Sequence, residues 1–456
     1  LGNANVSDVN LSTANLIVGK NLLQQTTSNT GVMTFDLTAS GISSAFYESF
    51  DAERYSVHYN NGTIEDLTSD QFVLSADGQT VTISGLTASQ SNNVTVATTL
   101  KKQALKSKVK NYLRSQKLTV ELTGVGINTS LTGMSKGTGY GLRVEDKEIS
   151  LNYPDVVKVI GVFESIDTNS PTLDKLTFPS GLDLNINAIL GEKITGSTSD
   201  AIAQVTSLLS ATEVEIVYFT ENKFVQGEVV NFDESNISTT LQSITESGSL
   251  NITNIFDLDK GQRDQFYDYS RLVRKSNFGA PTRKLLVVFD RYDVPANDRG
   301  DFYTVASYDE ERFTSDIPNI GKNNVRASDT IDFRPKVAPY TGSQSPFAFV
   351  NRTFAGANNP SFIVTPNESS IIGYNYYLPR IDKVVLDDDG DLAVLQGVSS
   401  DNPLEPIHNF NHMDVATITL PAYLYDPDDA VIKMVDNQRY TMRDIGGLED
   451  RIENLE

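Results

Sequence analysis

Cysteine and tryptophan are absent from this 456-residue chain, and histidine occurs only three times. Without cysteine, neither disulfides nor thiolate chemistry is open to it, which excludes a disulfide-stapled secreted module. Three histidines leave little material for a His-based metal site or general base. The missing indole argues mildly against a sugar-binding cleft, although 19 Tyr and 21 Phe offer other aromatic faces. Basic residues are few: 37 Lys and Arg stand against 59 Asp and Glu, a formal charge of −22. A surface so acidic disfavours nucleic acid and anionic lipid, and suits a partner with basic patches. The longest aliphatic or aromatic run is Leu285-Leu-Val-Val-Phe289, far short of the ~20 residues that cross a bilayer.

Catalytic and metal motifs are equally sparse. There is no Gly-x-Ser-x-Gly elbow and no phosphate loop. Gly137-Thr-Gly-Tyr-Gly141 has no Lys-Ser/Thr pair after it, so it reads as a bulge or turn. His408 and His412 would share a helix face beside Asp414, but Asn402-Pro-Leu-Glu-Pro406 precedes them and no glutamate stands in the base position of a zincin. The acidic turn Asp387-Asp-Asp-Gly390 fails the EF-hand test, because Gly390 at the sixth position puts Val385 at the first. No cofactor, metal ligand or catalytic residue is therefore assigned. Two alternatives stay open: a carboxylate-based polysaccharide depolymerase, and an adhesin with calcium at that turn.

What is present is β patterning. Residues 1–30 are rich in Asn, Ser and Thr with no sustained period, and read as an extended arm or linker. Over 31–125, Val32–Leu37 and Tyr55–Tyr59 alternate, and Asn60-Asn-Gly62 and Ala76-Asp-Gly78 supply turns. Short strands at this spacing suggest a sandwich of immunoglobulin or fibronectin type. His58 lies on one of these strands and reads as a packing residue. Residues 126–175 form a β connector, and 176–252 a small barrel-like insertion with glycines at its corners. Residues 253–436 make an irregular β-rich domain. In it Lys284–Asp290 reads as a buried strand, and Ile381–Leu386 with Leu392–Leu395 as a hairpin. The fold class is thus mainly β, with several sandwich- or barrel-like modules in series and a short C-terminal coiled-coil helix beginning at 437–456.

Two stretches carry the functional reading. Lys101, Lys102, Lys106, Lys108, Lys110, Arg114 and Lys117 fall together with no acid among them. In so acidic a chain, that reversal suggests a solvated face or a surface docking against an acidic neighbouring subunit. At the C-terminus Ile445, Leu448, Ile452 and Leu455 repeat at three, four and three residues, the a/d spacing of a coiled-coil seam. Asp444 offers a cap, Gly446 and Gly447 weaken the first turn, and Arg439, Tyr440 and Arg443 set how the chain enters the helix. Isoleucine at the seam leans toward an order above the dimer. The sequence closes with the seam still running, so it is expected to be one section of a longer polypeptide.

Several strings form a recognisable set: Leu173-Asp-Lys-Leu-Thr-Phe178, Gly191-Glu-Lys-Ile-Thr-Gly196, Tyr267-Asp-Tyr-Ser-Arg271, Asn297-Asp-Arg-Gly-Asp-Phe302, Ser328-Asp-Thr-Ile-Asp-Phe-Arg-Pro335, Tyr377-Leu-Pro-Arg-Ile-Asp382, and Arg439–Ile445 with Arg451–Leu455. From about residue 100 onward the chain resembles a large virion structural protein of T4-like cyanophages, associated with the tail, baseplate or fibres. The resemblance implies a non-enzymatic virion component, a homo-oligomer with trimer favoured, in contact with other tail, baseplate or fibre proteins. It carries over no active-site residues, and the charge and the short apolar runs lead us to expect neither nucleic acid nor a membrane as partner.

Overall fold

The computed structural model describes residues 8–24, 28, 30–40, 42, 44–87, 94–121, 139–295, 297–298, 300–321, 325–354, 363–365, 367–407, 411–436 and 441–454. The chain is mainly β, in several separate sheets, with a short helix near its C-terminus. It divides into two compact units, 8–374 and 375–456 with 1–7. Among the described residues no helix is long and apolar enough to cross a membrane.

The first unit opens with a sandwich. Asp8–Gln24, expected as an arm, is a 17-residue strand. It pairs antiparallel with Val94–Lys102, from Leu16↔Lys102 to Gln24↔Val94, and on its other side with Ile363–Val364. Leu16, Ile17 and Val18 are all buried, so both faces of this strand are covered and the period of two that marks a half-exposed strand is lost. A second sheet, Met33–Asp36, Thr80–Ile83 and Phe72–Leu74, keeps the alternation: Met33 and Phe35 face in, as do Val81 and Ile83. The Tyr55 and Phe72 rings, one from each layer, meet at 4.5 Å. Asn61-Gly62 and Asp77-Gly78 make the expected turns, with Gly78 at φ +69° and Asp77 Oδ1 accepting from Gln79 N. His58 sits on the strand Ser56–His58, its Nε2 2.9 Å from Ser56 Oγ.

Next comes a sandwich assembled from distant pieces. One sheet runs Leu250–Asn251, Val156–Glu164, Leu285–Asp293, Asn111–Val120; the other runs Glu148–Pro154, Tyr269–Arg274, Phe256–Asp259. Ile149, Leu151 and Leu272 from the second pack on Val162, Val287 and Phe289 from the first. Leu285–Asp290 is buried throughout, as its unbroken apolar run suggests. The strands 256–293 thus belong with 111–164 and not with the later part of 253–436.

Between those pieces lies the inserted module, seven strands in the order 238–240, 229–232, 193–196, 202–208, 213–218, 174–177, 243–245, around Leu176, Ile194, Val205, Ile216, Val230 and Phe232. Its corners come as a pair. Gly191-Glu192 and Gly227-Glu228 both have glycine at positive φ, +83° and +89°. Each glutamate accepts from a backbone N–H three residues before it, Ile189 or Val225, and from the turn of the opposite copy of the string. Glu192 takes Ser235 N and Oγ, and Glu228 takes Ser199 N and Oγ. The residues after those serines, Asp200 and Asn236, both sit at positive φ. The module is an internal repeat whose halves cap each other.

The second unit is a four-stranded antiparallel sheet, Leu392–Leu395, Arg380–Leu386, Met413–Leu420, Val431–Met434, followed by the helix Met442–Glu453. The expected hairpin is present, and Asp387 Oδ1 closes its turn by accepting from Asp389 N and Asp391 N. The helix starts earlier than the seam alone suggests. Thr441 is its cap and Asp444 the third residue of a capping box, with Thr441 N donating to Asp444 Oδ2 at 2.8 Å. Gly446 and Gly447 lie inside it.

Candidate assembly site and buried ionic centre

Three lengths of chain carry charge into the middle of the first unit. Lys110 leads into the strand Asn111–Val120. Asp155 forms the bend between Glu148–Pro154 and Val156–Glu164, at φ +62°. Asp332, Arg334 and Lys336 alternate along an extended stretch, which puts all three on one side. Lys110 Nζ and Lys336 Nζ stand 2.8 and 3.3 Å from Asp155 Oδ2, with all three side chains fully buried. Gln262 Nε2 donates to Asp155 Oδ1 at 2.9 Å. Lys110 also donates to the hydroxyls of Tyr308 and Tyr267, at 2.7 and 3.1 Å. Its ammonium lies 4.5–4.6 Å from the ring centres of Tyr267, Tyr303 and Tyr308, within cation–π range. Tyr267 OH passes the chain on to Asp332 Oδ2 at 2.5 Å, and Asp332 holds Arg334 at 2.7 Å.

Burial sets the ionisation here, and partners correct it. Burial pulls the Lys110 ammonium down to about 8, against the opposing pull of Asp155. Burial would raise the Asp155 carboxyl, but Lys110 and Lys336 outweigh it and hold the group at about 2. Burial pushes the Tyr267, Tyr303 and Tyr308 phenols well above their ordinary value, so they remain neutral donors. Sealed from solvent, this cluster is a clamp: it fixes the irregular stretch after Asp293 onto the central sandwich. Phe302 and Tyr303 are buried beside it although they lie in no regular strand.

The basic run 101–117, read as a docking surface, turns most of its charge inward. Lys102, Lys108 and Lys110 are buried, and Lys102 pairs with Asp301. Arg114 and Lys117 reach into the inserted module, to Glu234 at 2.7 Å and Glu215 at 2.5 Å. Lys101 is half-buried and Lys106 exposed. The physical reason is local: the run borders acidic segments of its own chain, and those partners are not adjacent in sequence.

The C-terminal unit is built the opposite way. Val385 and Ala416 are its only buried apolar residues among those described. Leu404 is 82% exposed and Ile407 99%. On the helix, Ile445, Leu448 and Ile452 are 48, 43 and 62% exposed on one side, and Arg443 is exposed. Leu455, Arg439, Tyr440 and His408 lie outside the described residues. Among the described residues no three acidic or histidine side chains converge in a metal-holding arrangement, and Asp414 pairs with Lys383 at 3.1 Å. Residues 353–456 match the model of a family described as Domain of unknown function (DUF4815). That match takes in the whole of this sheet and helix. No curated protein and no solved structure matches the chain.

Sequence reasoning missed both the tyrosine-lined clamp and the paired glutamates. Two signals carried them. Ile331-Asp-Phe-Arg-Pro-Lys336 places charges at every second residue between apolar ones, the mark of an extended segment with a polar face turned inward. Gly191-Glu192 and Gly227-Glu228 repeat with a serine seven residues after each glutamate.

Proposed function

We propose that the chain is a non-enzymatic structural component of a phage virion, in the tail or baseplate, assembling as a homotrimer that links the tail to fibres or receptor-binding parts. The observation that carries this reading is the C-terminal unit, in which, among the described residues, only Val385 and Ala416 of the apolar side chains are buried and the rest are half-buried or exposed. A unit of this kind gains its stability from association, since hydrophobic burial is the main favourable term in folding and here the single chain supplies little. The three exposed helix residues at a/d spacing point the same way. The clamp and the charge-braced module fit a part that holds geometry and turns nothing over. The resemblance of the sequence strings to a cyanophage virion protein supplies the location.

Light scattering on the full chain, and on one ending before Ile445, tests the assembly. The expected mass is about three times the 50.0 kDa of one chain, falling to one chain on truncation. A full chain that stays monomeric refutes the assembly reading. Immuno-electron microscopy of phage particles with an antibody to the chain tests the location, and particles without label on the tail refute it.

A further inference from the structure

Resting on that assembly reading, we propose that the C-terminal sheet is completed between copies of this chain: Val431–Met434 of one copy pairs with Leu392–Leu395 of the next, head to tail. These two strands are the open edges of the sheet. Leu392 and Val394 on one, and Val431, Ile432 and Met434 on the other, are all more than half exposed. Monomers normally blunt edges with short strands, charge, proline or a cover; these strands are four residues each and keep apolar side chains exposed.

The backbone is poised for that pairing. Val435 N donates to Val415 O at 2.9 Å, and the register runs Ile418↔Ile432. Donors alternate along an antiparallel strand, so the N–H groups of Ile432 and Met434 turn to the open side. The partner is a second copy because the requirement is constant: a unit whose buried apolar residues, among those described, are Val385 and Ala416 needs its partner whenever it is folded. Pairing Val431–Met434 with itself would leave Leu392–Leu395 open in every copy, whereas head-to-tail pairing covers both edges. A head-to-tail contact repeats until it closes into a ring, which is compatible with three chains around a helical seam and not with a simple twofold pair.

Ile432→Pro tests it on the full chain. Proline there removes an outward N–H and none of the ladder bonds to Met413–Leu420, while Ile432→Thr keeps the N–H and loses the apolar surface. The expected result is a threefold fall in mass for Ile432→Pro with the mass of Ile432→Thr unchanged. In the unaltered chain, hydrogen exchange is expected to find the Ile432 and Met434 amides protected. If Ile432→Pro keeps the full mass, or those amides exchange as open ones, edge pairing is overturned while the assembly reading stands. If Leu448→Glu with Ile452→Glu dissociates the chain and Ile432→Pro does not, the helix alone holds the copies. An unaltered chain that is monomeric overturns both.

Discussion

Asp155→Asn removes the carboxylate that faces Lys110 and Lys336 and leaves both ammonium groups buried. Removing one partner from a buried ion pair costs about 3–5 kcal/mol, because the remaining charge keeps its desolvation penalty without its compensation. The loss has a pH signature. Asp155 titrates at about 2 in the fold against an ordinary 3.8. A depressed carboxylate contributes stability above its unfolded value, so this contribution is full above about pH 4 and is lost as pH falls toward 2. At about 1.4 kcal/mol per pH unit it amounts to roughly 2–3 kcal/mol. Lys110 is the reverse case, held at about 8 against 10.5. Its lowered value means the fold carries a penalty for the charged amine below pH 8, which is relieved as pH rises from 8 toward 10.5. In the variant the acid-limb loss belonging to Asp155 disappears, and Lys110 drops further, so the alkaline gain begins at lower pH. The assay is urea unfolding from pH 2 to 10, followed by tyrosine fluorescence, which no tryptophan masks. The double change Asp155→Asn with Lys110→Met is expected to recover much of the loss. A single-variant loss below about 1 kcal/mol, or a double variant no better than the single, would refute the clamp as an energetic element.

Glu192→Gln and Glu228→Gln each weaken charge-assisted bonds to backbone N–H groups, at about 1–3 kcal/mol. Hydrogen exchange should show residues 174–245 opening first in both variants, and identical protection would count against the paired caps. Gly191→Ala forces φ +83° on a side chain and drives its Cβ to 2.4 Å from Arg114. Thermal unfolding should show a loss of roughly 1–3 kcal/mol, with no change meaning that the corner relaxes freely. Leu448→Glu with Ile452→Glu should bring the mass to one chain while the melting of residues 8–374 is unchanged; a trimer that survives would place the contact elsewhere. Raising salt should strengthen association of copies that each carry −22, since screening reduces their repulsion, and a mass that falls with salt would contradict an apolar interface.

How much of this was legible in the sequence depended on where each partner lies. The hairpin 381–395 was readable because its strands are neighbours and an acidic turn ending in Asp-Gly joins them. The inserted module was readable from its glycines. The long strand Asp8–Gln24 was not, because Leu16, Ile17 and Val18 are buried in succession and the period vanishes. The central sandwich was divided wrongly because Asn111–Val120 pairs with Leu285–Asp293, and no local pattern announces a partner that far along the chain. At the helix, the apolar repeat gave the seam, while the Thr441 cap moved its start forward. In the basic run, the sign of the charge was plain, but the acids that absorb it, Asp301, Glu215 and Glu234, are remote in sequence.

The inserted module leaves the central sandwich after Glu164 and returns at Leu250, and these two residues sit directly opposite each other on adjacent strands. Everything between them is therefore a bracket opened and closed at one point of a finished sheet. A short turn joining Glu164 to Leu250 would leave the sandwich's own ladder unbroken. Conversely, that point can accept domains of other sizes without altering a strand elsewhere. Length and surface can change at this point, provided that the insert still covers Ile160, Phe163, Leu286 and Val288, against which Leu173 and Val217 of the present module pack.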